Sequence, residues 1–178
     1  MSLTPSWDLF IIAFFIVSIV FGIALGRERA VASVLASYLG LLAANIGGNA
    51  LTNALSGTST AQLGDTLSIT ANTSPFAVKI AIFVLITTLL IAKGDFFKRA
   101  STHHDNLTSI IAGGIYSFFN AGIITTAVVS FLSDSQRTEL LTQSNLINQI
   151  MQYQIPWMLI PIGLMILLGF QKSSSDPQ

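Results

Sequence analysis

No cysteine occurs among the 178 residues, which removes disulfide scaffolds, thiolate zinc sites, iron–sulfur ligation and a cysteine nucleophile together. Charge is nearly as scarce. Only 9% of residues are charged, against about 25% in an ordinary soluble domain, and a chain this size cannot cover its outside with so few ionised groups. Eight basic and eight acidic residues cancel to a formal charge of zero, so no basic stripe exists to follow phosphates and no nucleic-acid partner is expected. Low charge with 52% hydrophobic residues and a mean hydropathy of +0.70 also disfavours intrinsic disorder, which needs the opposite composition. The composition left standing is that of a small integral membrane protein, whose first partner is the lipid bilayer.

Leu9 to Gly26 is an uncharged run of 18 residues, roughly 27 Å as a helix and close to the ~30 Å hydrocarbon core. Trp7 at its edge suits the headgroup layer, and Asp8 lies where a carboxylate meets the positive end of the helix dipole. The residues before Trp7 are uncharged, unlike the basic start of a secretory signal, so the segment is expected to be retained. After Arg27, Glu28 and Arg29, a charged hinge, Ala30 to Leu51 forms a second uncharged span. A Thr/Ser/Asn/Gly-rich stretch follows and reads as an exposed loop with at most a short interfacial turn. Ser74 and Pro75 resemble an N-cap and a first-turn proline opening a third span, residues 76–92. Lys79 lies one turn inside it, from where its stem reaches back to the interface.

Leu107 to Leu132, 26 uncharged residues, is long enough for a tilted fourth span. Ser133 with Gln136 has the form of a capping box. The segment it opens, residues 136–153, places Leu140, Leu141, Ile147, Ile150 and Met151 on one side and Gln143, Asn145, Asn148, Gln149 and Gln152 on the other, an amphipathic interfacial helix. Residues 155–170 form a short fifth apolar segment with Pro156 near its start and Pro161 inside. It spans with a kink at Pro161, or is re-entrant. Residues 173–178 read as a loose polar tail. The fold class is therefore an all-α membrane bundle of four to five spanning helices plus one amphipathic helix, in a single domain over residues 1–172.

With five spans, alternate loops segregate the basic residues. Arg27, Arg29, Lys93, Lys98, Arg99 and Lys172 fall on one side, Lys79 and Arg137 on the other. The positive-inside rule then puts the hinge, the basic loop and the carboxyl terminus in the cytoplasm and the amino terminus outside.

Small residues mark packing faces. Ala32, Ala36, Gly40, Ala44 and Gly48 recur every four residues in the second span, the first ends in Gly22-x-x-x-Gly26, and Gly113, Ser117, Ala121 and Thr125 repeat the device in the fourth. In lipid such faces let backbones approach closely, within one chain or between copies. Asn45, Asn49 and Asn120 fall in spanning segments, where an unpartnered amide costs a few kcal/mol. They read as interhelical glue or as the polar lining of a path.

His103-His104-Asp105 is the one cluster with ligand or acid–base character. The two histidines are adjacent and the chain has no others, so a solvated, helix-capping loop is the simpler reading and no metal is expected. No G-x-S-x-G, Walker or dinucleotide motif is present. Neither a catalytic residue nor a cofactor is expected.

The segment from Asp8 to Arg29, DLFIIAFFIVSIVFGIALGRER, followed by AVASVLASYLGLLAA, resembles the start of the colicin V production protein family. There an acidic residue precedes the first span, and a glycine–arginine–glutamate hinge leads into a small-residue second span. DNLTSIIAGGIYSFFNAGII, from Asp105, is similar to the family's fourth span. The likeness covers residues 7–132. It departs from the family pattern in three ways: Ser109 stands where a first glycine is expected, no basic residue lies between the later glycines, and a fifth apolar segment follows. The resemblance implies a bacterial inner-membrane protein with its amino terminus outside, associated with toxin export and envelope upkeep and carrying no catalytic residues. The expected function is a non-enzymatic scaffold or accessory subunit of an envelope or export system, with a homo-oligomer or another membrane protein as partner. The alternatives are an oligomeric, tension-gated channel lined by Asn45, Asn49 and Asn120, and a holin-like or immunity protein.

Overall fold

The computed structural model describes residues 6–56, 61–62, 68–69, 74–93 and 107–170. Within them the chain is helical apart from one two-residue antiparallel pairing. The helices are α1 (Trp7–Leu25), α2 (Arg27–Ser56), α3 (Pro75–Ala92), α4 (Leu107–Phe131), α5 (Asp134–Gln143), α6 (Asn145–Gln152) and α7 (Gln154–Phe170). Four of these, α1 to α4, are long and apolar enough to cross a membrane, and α6 with α7 makes a further pair, bent by 62°.

Close contacts set the directions. Gly22 meets Gly113 and Ser117, while Ile11 clusters with Val129, so α1 and α4 are antiparallel. Ser33 bonds Asn120, and Ala44 clusters with Ala127, so α2 and α4 are parallel. Gly48 faces Lys79, and Gly40 faces Phe83 and Thr87, making α2 and α3 antiparallel. The four long helices thus form a layer in the order α3–α2–α4–α1. The α6–α7 pair rests on α4, with α6 also touching α1. This places Arg27, Arg29 and Lys93 at one end of the layer. The starts of α1 and α3 lie at the other end.

The two most apolar helices are the least buried. Buried residues make up 11% of the apolar windows of α1 and α3, 33% of that of α2 and 61% of that of α4, so burial rises as apolarity falls. The core of the layer holds small and polar residues with a few large ones, such as Ser37, Tyr116, Ala121, Thr125 and Thr126.

Several boundaries differ from the sequence reading. Arg27, Glu28 and Arg29 are the first turn of α2, not a hinge; the reversal is made by Gly26 alone, at φ 79°. Its N–H closes back on the Gly22 carbonyl at 3.0 Å. An L side chain is strained at this φ, so Gly26→Ala is expected to cost about 1–2 kcal/mol, seen as a lower midpoint in detergent unfolding. The second helix also continues past Leu51 to Ser56. The amphipathic segment is two helices, α5 and α6, broken at Ser144. The large bend lies between α6 and α7, around Tyr153, whereas Pro161 sits buried within a continuous α7. Ser133 and Gln136 form the capping box as read, and Ser74 with Pro75 opens α3, although the serine side chain makes no capping bond. In the polar stretch, Ala61 pairs with Ile69 and Gln62 with Ser68. Lys98, Arg99, His103, His104, Asp105, Lys172 and the tail 173–178 lie outside the described residues.

Candidate functional site

The small-residue faces close seams inside the chain. A Cβ on Gly22 would fall 1.8 Å from the Ser117 hydroxyl and 2.7 Å from the Gly113 carbonyl, and one on Gly113 would meet the α1–α2 turn at Gly26 and Arg27. Gly40 takes the Thr87 hydroxyl and Gly48 the Lys79 stem. Ala36, Ala44 and Ala121 are buried. The stripe of α2 is therefore shared between α3 and α4, and that of α1 is spent on α4. Gly26 has open space around its Cβ position; it is a turn residue and not a packing one.

The three asparagines of the long helices, Asn45, Asn49 and Asn120, do not share one lining within the chain. Asn120 is buried and donates to the Ser33 hydroxyl at 2.9 Å. Asn45 and Asn49 are exposed on α2. They lie 18 and 22 residues beyond Arg27, roughly 27 and 33 Å along the helix. That is the level of Gly48 and the lysine stem packed on it, near the far end of the layer. Within the chain Asn120 thus serves as a link between α2 and α4, while Asn45 and Asn49 sit on a face of α2 that neither α3 nor α4 covers. Around Asn120 the α2–α4 interface is unusually polar. Its Oδ1, the Ser37 hydroxyl and the Tyr116 hydroxyl are buried without a partner. Asn120→Leu is expected to cost about 0.6–2 kcal/mol, whereas Asn45→Leu changes stability by less than about 0.5 kcal/mol; denaturation in detergent compares them.

At the opposite end of the layer from Arg27, the start of α1 is tied to the α5–α6 joint. Ser6 caps α1 by accepting from the Leu9 N–H at 3.3 Å. The Asp8 carboxylate is thereby left to accept from the Ser144 hydroxyl and, at 3.3 Å, from the Leu146 N–H. Ser144 is fully buried, and its hydroxyl oxygen accepts from the Ile147 N–H at 3.1 Å. Asp8 therefore complements the positive end of α6 as well as its own helix. Beside it the Trp7 indole N–H donates to Gln143 at 2.9 Å.

Below this joint lies an open cavity of about 620 Å³ between α1, α4, α6 and α7. Its back wall is an aromatic cluster. Phe118 and Trp157 have ring centroids 5.1 Å apart, Phe15 lies 5.4 Å from Phe118, and Phe119 lies 5.6 Å from Trp157. Gly122 admits the indole, since a Cβ there would lie 2.4 Å from the Trp157 ring. Among the described residues no group of three or more His, Asp or Glu could hold a metal ion. The arrangement offers apolar enclosure and hydrogen bonding.

Sequence reasoning missed Ser37, Tyr116 and the Asp8–Ser144 contact. Ser33 and Ser37, at i and i+4 on the same helix, and Tyr116 with Asn120 likewise, were the signal available for the polar interface. Nothing in the sequence pairs Asp8 with a serine 136 positions away. Comparison of the chain with protein-family models, with curated proteins and with solved structures finds no match to any of them.

Proposed function

We propose that the protein is a multi-pass membrane protein acting as a non-enzymatic scaffold or accessory subunit of a bacterial envelope or export system, similar to the colicin V production proteins. The observation that carries the membrane reading is the reversal of apolarity and burial across α1 to α4. In water the most apolar helix would be hidden most deeply; in hydrocarbon it is the helix best left outside, and the polar groups turn inward. The scaffold reading rests on what is left exposed once the seams are closed. Leu35, Leu39, Leu42 and Ile46 on α2 and a matching band on α1 present bulky apolar surface to lipid or to a membrane partner. The clustering of Arg27, Arg29 and Lys93 at one end supports an inner-membrane orientation with that end cytoplasmic.

The test is in vivo crosslinking in native membranes, followed by mass spectrometry of the captured species. Recurrent capture of envelope or export components supports the scaffold. Ion conductance by purified protein in liposomes, lost in Asn120→Leu with the fold intact, would replace it with a channel. Orientation is read by thiol labelling of single cysteines placed at Ser2, Ser59, His103, Gln143 and Ser174 in the cysteine-free background.

A further inference from the structure

We propose that the cavity between α1, α4, α6 and α7 binds one acyl chain of a bilayer phospholipid, with the lipid's polar end against α6. The inference rests on the membrane reading above and adds a ligand to it. Among the residues that line the cavity only Gln149 and Tyr153 carry polar side-chain ends apart from the Trp157 N–H, and both belong to the α6 end. The remaining wall is hydrocarbon and aromatic ring. A buried water needs two to four polar partners, so the space below α6 is too apolar to hold water, and leaving it empty would forfeit dispersion contacts along its whole lining.

Its dimensions select the occupant. Along α1 the lining runs from Ile11 to Ile19, a rise of roughly 12 Å. One leaflet contributes about 15 Å of the ~30 Å hydrocarbon core. The cavity therefore has the depth of a single leaflet. Its polar end lies beside Trp7 and Asp8, at the start of the first apolar helix, where the headgroup layer would fall. Ile12 and Ile16 on its rim are about half exposed, 50% and 56%, so the mouth opens sideways, the direction from which a lipid arrives. The 62° bend between α6 and α7 sets the two helices apart, and the Phe15–Phe118–Trp157 cluster closes the cavity at the back.

The experiment reconstitutes the full chain in phosphatidylcholine liposomes doped with phosphatidylcholine bearing a diazirine at mid-chain. After photolysis, the attachment sites are mapped by mass spectrometry, and retained lipid is counted by native mass spectrometry in mild detergent. Attachment is expected to concentrate on Phe15, Phe118 and Trp157, with one phospholipid retained per chain. Ile12→Trp and Ile16→Trp fill the mouth and are expected to lower both signals about tenfold. Val17→Trp, an equally exposed change on α1 away from the cavity, leaves them unchanged, and circular dichroism checks that each variant is folded. Attachment spread evenly over the exposed faces, or equal loss in Val17→Trp, overturns the acyl-chain site while leaving the membrane reading intact. Failure of the chain to insert into liposomes overturns both.

Discussion

Gly22→Ala is expected to lower the free energy of unfolding in detergent by about 2–3 kcal/mol, the upper range for overpacking a close interface. The new methyl has two obstacles of different kinds. The Ser117 hydroxyl, 1.8 Å from the Cβ position, is a side-chain end, but the Gly113 carbonyl at 2.7 Å is backbone and yields only if α1 and α4 separate. The double variant Gly22→Ala/Ser117→Gly should therefore recover part of the loss and not all of it. Gly163→Ala, where nothing lies within 4 Å, serves as the control. It should be neutral or stabilising by up to about 1 kcal/mol through helix propensity. Equal losses at Gly22 and Gly163 would show that the α1–α4 seam is not what glycine is needed for.

Asp8→Ala should cost about 1–3 kcal/mol, because it strands the Ser144 hydroxyl and the Leu146 N–H at a partly buried joint and removes a negative charge from the positive end of α6. The effect is local as well as global. Hydrogen exchange at the Leu146 amide should accelerate more than exchange in α2 or α3, because the joint loosens before the layer does. Asp8→Asn keeps an acceptor without the charge and should fall between wild type and Asp8→Ala. If the Leu146 amide is as protected in Asp8→Ala as in wild type, α6 is held by its apolar face alone, through Ile147 and Ile150.

The long helices were legible because they are written as uncharged runs, and the apolar side of the 136–153 segment was legible because its period is helical. Ile147 and Ile150 are buried with Leu140, Leu141 and Met151 packed against them, and Gln143, Asn145, Asn148, Gln149 and Gln152 are exposed. What failed were inferences from charge to backbone. Arg27, Glu28 and Arg29 are tolerated in the first turn of a helix, and the reversal needs only one residue at positive φ, supplied next door by Gly26. The break at Ser144 was hidden for a different reason. Its hydrogen-bond partners include Asp8, and a contact between residues 136 positions apart leaves no periodic trace. Small-residue spacing located the packing faces but not their partners. Gly40 and Gly48 turn to α3, while Ala44 reaches α4 through the cluster with Ala127 and Phe131.

The layer order α3–α2–α4–α1 has a consequence for the order of assembly. Of the two inner helices, α4 is the last of the four to be synthesised, so a nascent chain ending before Leu107 can hold α2 against α3 but has nothing to cover the glycine notch of α1. Both remaining seams close only when that single late helix enters between two made before it. Products truncated ahead of α4 should for that reason be the forms most open to proteolysis.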